Sequence, residues 1–261
     1  MDDLAHRSLL QYAIEREKSR KGYVYNEHDA RVAKKMLKEI RKLGYPVHYV
    51  AEIDMCRING ISFILERYIP LFQSECTRAY LLCNLIEDKP ADCDKLVLSF
   101  YQHFRSLPET EPILANRTPA FICFLYDNIF HRLKSRRIKH DLLKTVQSPE
   151  NAYEFALTFQ MLASWKMPEM ETLSRHYLLH GSNVTATELG LIQPDEYFLT
   201  VRLPHIQQEL RFRGIGGLRY FPSEENIALL RPLLDDASKD IRLAAASSLE
   251  KMQKKLQKSL E

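Results

Sequence analysis

With 261 residues, 45% hydrophobic and 27% charged, the chain has ordinary globular composition and enough apolar material to bury a substantial core. A formal net charge of +3, from 37 basic and 34 acidic side chains, excludes a strong overall field, so a nucleic-acid face would need local clustering. Five cysteines (Cys56, Cys76, Cys83, Cys93 and Cys123) without zinc-knuckle spacing, no basic-then-apolar leader and no apolar run of ~20 residues give the expectation of a cytoplasmic, non-membrane protein with reduced thiols and no metal or cofactor.

Only 8 glycines and few alternating apolar/polar runs favour helix throughout, so the expected class is all-α. Leu4 to Lys18 has helical spacing. Asn26 can cap a second helix with an apolar stripe at Ala30, Ala33, Leu37 and Ile40, stopped by Leu43-Gly44. Its other face carries Arg31, Lys34, Lys35, Lys38, Arg41 and Lys42, which reads as a solvated face or a phosphate-contacting one. Two short helices follow, Ile61 to Phe72 and Glu75 to Ile86, then another from Asp92 to Phe104. The proline-bounded acidic loop Ser106 to Pro112 is expected to be mobile.

Pro119 to Arg132 contains the most apolar run, Phe121 to Tyr126, and predicts a central buried helix. Asp127 sits directly behind that run, so it is either paired, with an Arg for example, or functional. The densest basic stretch is next: Arg132, Lys134, Arg136, Arg137, Lys139, His140 and Lys144. It is the best local candidate for phosphate contacts, although no aromatic ring interleaves it and a solvated turn is the reading that composition favours. Ser148-Pro149 opens a helix expected to run through to Trp165, and Pro168 opens one to His180 that ends at Gly181. Ser223 caps Glu224 to Leu234, where Ile227, Leu230, Leu233 and Leu234 form the buried stripe and Pro232 predicts a kink.

Motifs for chemistry are weak. Gly214-Ile215-Gly216-Gly217 lacks the third glycine of a dinucleotide fingerprint, because Arg219 stands there, and no strand precedes it; close helix packing explains it better. His176 and His180 share a helix face, but Tyr177 replaces the Glu of the zinc hydrolase motif. No phosphate loop or nucleophile elbow is present, so the expectation leans away from an enzyme without excluding one.

A repeat carries more information. Leu210 to Leu218 aligns with Ile241 to Leu249 at an offset of 31 residues, placing Arg211 on Arg242 and Leu218 on Leu249; Arg78 and Leu85 echo the same spacing. The segment Leu233 to Met252, with Pro232 ahead of it, Asp236 in a tight turn and Ile241-Arg242 opening an alanine-rich helix, resembles a HEAT repeat. Leu37 to Val50 and Ile64 to Pro70 also resemble bacterial HEAT-repeat proteins. The resemblance implies a single right-handed α-solenoid over 1–261: antiparallel helical hairpins with an irregular cap at 1–55, degenerate units at 56–147 and C-terminal units at 148–258. It implies a ladder in which Asp236 and Arg242 take part, with Arg211 and Arg78 at the equivalent positions of other copies, while His205 stands where the preceding copy would carry Asp.

The implied function is a non-catalytic scaffold holding a protein or peptide on a concave helical face. Arg132, Lys134, Arg136, Arg137, Lys139, Arg213 and Arg219 are the candidate partner- or phosphate-binding residues. The alternative is DNA binding, as in HEAT-like alkylpurine DNA glycosylases, although no motif of that group maps onto this chain residue by residue; a bilin lyase-like role finds no tetrapyrrole site here.

Overall fold

The computed structural model describes residues 27–48, 50, 52–55, 60–88, 93–106 and 117–258, and the leading helix expected at Leu4 to Lys18, the Asn26 cap and the acidic loop lie outside them. Every regular element among the described residues is helical. The chain divides into two compact units, split after Ser106.

In the first unit, α1 (Glu27–Lys42) buries Val32, Ala33, Met36, Leu37 and Ile40. Ala30 is exposed, so the stripe lies one step round from its expected position; the basic face points to solvent. Gly44, at φ +94, provides the left-handed residue that ends the helix. After the turn α2 (Glu52–Met55) come α3 (Ser62–Tyr68), tightened to a 3-10 turn at Ile69–Leu71 around Pro70, then α4 (Glu75–Leu85) and α5 (Cys93–Ser106).

Two aspartates tie this unit together by capping helix starts remote in sequence. Buried Asp29 accepts from the backbone N–H groups of Gln73 and Ser74 at 2.8 and 2.9 Å, ahead of α4. Asp88 accepts from those of Gly60, Ile61 and Ser62 at 2.9, 3.0 and 3.1 Å, at the start of α3. Each carboxylate satisfies donors that the helix geometry leaves without internal partners and meets the positive end of the dipole.

The second unit begins with α6 (Arg117–Leu133), whose side chains Ile122, Leu125, Tyr126, Ile129 and Phe130 are buried. Then come α7 (Lys139–Thr145), α8 (Pro149–Glu154) and α9 (Ala156–Ser164). The single helix expected from Ser148 to Trp165 is broken at Phe155, where φ −100 and ψ 55 interrupt the spiral. The interruption has an external cause: Asp127 of α6 accepts from the N–H groups of Leu157 and Thr158 and from the Thr158 hydroxyl, at 3.0, 2.8 and 2.7 Å, and so starts a new helix there.

Four helices then share one core: α10 (Pro168–His180), α11 (Leu203–Leu218), α12 (Glu224–Leu230) and α13 (Lys239–Lys258). Leu178, Ile215, Leu218, Ile227, Leu230, Ile241, Leu249 and Met252 form its buried cluster. A Cβ on Gly214 would meet the Leu178 N at 2.4 Å and the Ser174 O at 2.7 Å, and one on Gly217 would meet the Ser174 Oγ at 2.1 Å. These contacts run in opposite directions along the two helices, so α10 and α11 are antiparallel and pressed backbone to backbone. The Ser248 hydroxyl donates to the Ile215 carbonyl at 3.3 Å, which keeps α13 alongside α11. Pro232 converts the end of α12 to a 3-10 turn, Arg231–Asp235. That turn leaves Leu233 only partly buried and Leu234 exposed, unlike the expected stripe.

Candidate functional site

The expected ladder residues take up three different arrangements. Arg211 donates to the Asp236 carboxylate at 2.7 Å, while the other carboxylate oxygen accepts from the Ser238 N–H at 2.9 Å. Arg242 instead donates to the backbone carbonyls of Asp236 and Ala237, at 2.6 and 3.0 Å, closing the turn from the other side. Arg78, in the first unit, is buried, pairs with Glu75 of the same helix and lies over the Phe100 ring at 5.3 Å.

The candidate binding cations also separate. Arg213 pairs with Glu209 one turn away on α11 at 3.0 Å and is largely enclosed. Lys134 and Arg136 are exposed at the end of α6, as are Arg132 and Arg137, whereas Lys139 is half-buried. Arg136 lies 5.7 Å from the centre of the Trp165 ring, so the aromatic partner that the basic stretch lacks in sequence is supplied by the end of α9.

Arg219 joins a second group. Its guanidinium lies 4.8 Å from the Tyr220 ring centre, and the Lys255 ammonium lies 5.2 Å from the same centre while donating to the Arg219 carbonyl at 3.2 Å. Partial desolvation, followed by the charges of Lys166, Arg219 and Lys251, lowers the Lys255 ammonium from its ordinary range. The ends of α9, α11 and α13 therefore bring their cations within electrostatic reach of one another.

A second constellation lies around α8. Burial pushes the Glu154 carboxyl up to about 7, Glu150 and Asp127 reinforce the shift, and Arg202 opposes it. The adjacent Tyr153 hydroxyl is raised by burial and by Glu154, and its ring meets His205 edge-on at 6.2 Å. Asp127 is pushed up by burial against hydrogen bonds from Thr158 and the backbone N–H groups of Leu157 and Thr158. A carboxylic acid that still holds its proton near neutrality can donate a hydrogen bond or titrate in that range. Sequence reading missed Glu154 because α11, which follows it by about fifty residues, packs against α8 only in the fold, and Arg202 comes within electrostatic reach there. Asp127 is held by a helix start and a hydroxyl where an Arg had been the expected kind of partner.

His176 and His180 lie with ring centres 5.2 Å apart and planes tilted by 43°, and among the described residues no group of three His, Cys, Asp or Glu side chains is placed to hold a metal. No described helix is long and apolar enough to cross a membrane.

Exposed apolar side chains concentrate before α11. Ile192 is 91% exposed, Tyr197 62%, Leu199 44% and Val201 51%. Tyr197 and Val201 are one turn apart, so they stand on the same side of the π-helical segment. No protein-family model, curated protein or solved structure matches the chain.

Proposed function

We propose that the chain is a non-catalytic binding protein, a HEAT-like right-handed α-solenoid that holds a protein or peptide partner. The observation that carries this reading is the group Ile192, Tyr197, Leu199 and Val201: four large apolar side chains within ten residues, facing water beside a well-filled core. Apolar surface of this kind gains free energy when a partner covers it. The π-helical turn that presents two of the four is a conformation frequent at functional positions. The tandem hairpins and the Arg211 to Asp236 bridge support the HEAT-like part of the reading, because they fix α11 to the turn before α13 and give the apolar group a rigid base.

Affinity capture with the full chain and with the double variant Tyr197→Arg/Val201→Arg tests it. The wild type should retain one stoichiometric protein partner, and the variant should lose it at an unchanged Tm. Recovery of the same partner by both, or of none by the wild type, contradicts the assignment.

A further inference from the structure

The far end of α11 has a different character. Helix ends from across the second unit meet there. Arg136, just beyond α6, lies 5.7 Å from the ring centre of Trp165 at the end of α9; Lys166 follows Trp165; and Lys166, Arg219 and Lys251 all act on Lys255. Lys166, Lys251 and Lys255 are exposed, while Arg219 is half-buried. Among the described residues, no carboxylate lies within ion-pair distance of these four cations. Neighbouring basic groups differ: Arg211, Arg213 and Lys254 each have an acidic partner, at 2.7, 3.0 and 2.5 Å.

Helix C-termini attract cations, and Lys255 does serve the Arg219 carbonyl. That role does not account for Lys166. It occupies the residue after the α9 C-cap at φ +56, and Lys134, after α6, is at φ +49; they are the two described non-glycine residues with positive φ. Glycine is the favoured residue in this left-handed position, because any Cβ is strained there. Both positions hold lysine, and Lys166 lies at the cationic end of the unit.

From this geometry we infer that Lys166, Arg219, Lys251 and Lys255 form a binding site for the phosphate backbone of a single-stranded nucleic acid, with Trp165 and Tyr220 as base-facing rings. Cations without a carboxylate partner among the described residues release counterions when they meet phosphates, which supplies sequence-independent affinity. The aromatic rings held among these cations, Trp165 beside Arg136 and Tyr220 between Arg219, which also donates to its hydroxyl at 2.8 Å, and Lys255, suit bases of any identity and favour a nucleic acid over an acidic peptide. This site goes beyond the partner-binding role. It lies at the opposite end of α11 from Tyr197 and Val201, a helix of 16 residues spanning about 24 Å.

Fluorescence anisotropy of the full chain with a labelled mixed-sequence DNA strand of about 16 nucleotides tests the inference. With four phosphate contacts, log K should fall against log salt with a slope of about −3. Lys251→Gln/Lys255→Gln should weaken binding on the order of tenfold and flatten the slope by about 1.4. Lys166→Gly separates binding from folding: it should bind more weakly while its Tm stays level or rises, since glycine relieves the left-handed strain. Unchanged affinity in both variants would overturn the site, as would competition by poly-glutamate as effective as that by unlabelled DNA. Tyr197→Arg/Val201→Arg should leave DNA affinity intact, so failure here and failure of the protein-partner reading are distinguishable.

Discussion

The guanidinium of Arg211, on α11, donates to the carboxylate of Asp236, in the turn before α13, at 2.7 Å, and thereby ties α11 to that turn. Three groups converge on that aspartate: Arg211 and the Ser238 N–H on its side chain, and Arg242 on its carbonyl. The Arg211 hydrogen bond, then that from Ser238, hold the Asp236 carboxyl below its usual range. A double-mutant cycle of Arg211→Ala and Asp236→Ala, read by urea denaturation, should give a coupling of roughly 0.5–1 kcal/mol, since both groups remain partly hydrated. Because the native carboxyl is depressed, this contribution is complete above the ordinary Asp value and fades as pH falls through the native one; the cycle should therefore shrink in strong acid.

Gly214 and Gly216 form a matched pair of probes on one helix. A methyl group on Gly214 enters the backbone of α10, while one on Gly216 meets nothing within 4 Å. Gly214→Ala should cost about 1–3 kcal/mol through forced separation of the two helices. Gly216→Ala should stabilise by about 0.5–1 kcal/mol from helix propensity. Chemical denaturation of the two variants checks the sign of each.

Removing the Asp127 carboxylate strands the Leu157 and Thr158 N–H groups and the Thr158 hydroxyl in a buried position. Asp127→Ala should cost about 2–3 kcal/mol, the penalty for buried donors without partners. Amide exchange should accelerate first at Leu157 and Thr158. Uniform protection there would contradict the capping role.

Glu154 gives the chain a stability profile that falls toward alkaline pH. Its carboxyl is raised to about 7 in the native state against 4.5 for the free side chain. Between these values the native state keeps a proton that the unfolded state has released, so stability decreases as pH rises through the window and levels off above it. Glu154→Gln should flatten that slope and add on the order of 1–2 kcal/mol at pH 8. Urea titrations of both proteins between pH 5 and 8 read the difference.

Local signals made much of the helical order legible. Ser148 and Ser223 accept from the N–H groups of Asn151 and Asn226 at the first turns of their helices, and Pro232 ends α12 where its missing N–H requires. Less legible were features set by distant residues. The break at Phe155 depends on a carboxylate about thirty positions earlier, and α8, which carries Glu154, packs against the later α11 only in the fold. Arg136 and Trp165 are separated by three helices in sequence, so their contact left no periodicity to read. The repeat did place Arg211 and Arg242 on corresponding positions, but their different bonds arise from Asp236, which one engages by side chain and the other by backbone.

Photo-crosslinking in cells, with a photoactivatable residue at Tyr197 and a control at exposed Gln253 on α13, tests the binding role most directly. A single dominant protein adduct from position 197, missing from position 253, is the predicted result. Identical adducts at both positions, or none at 197, would contradict it.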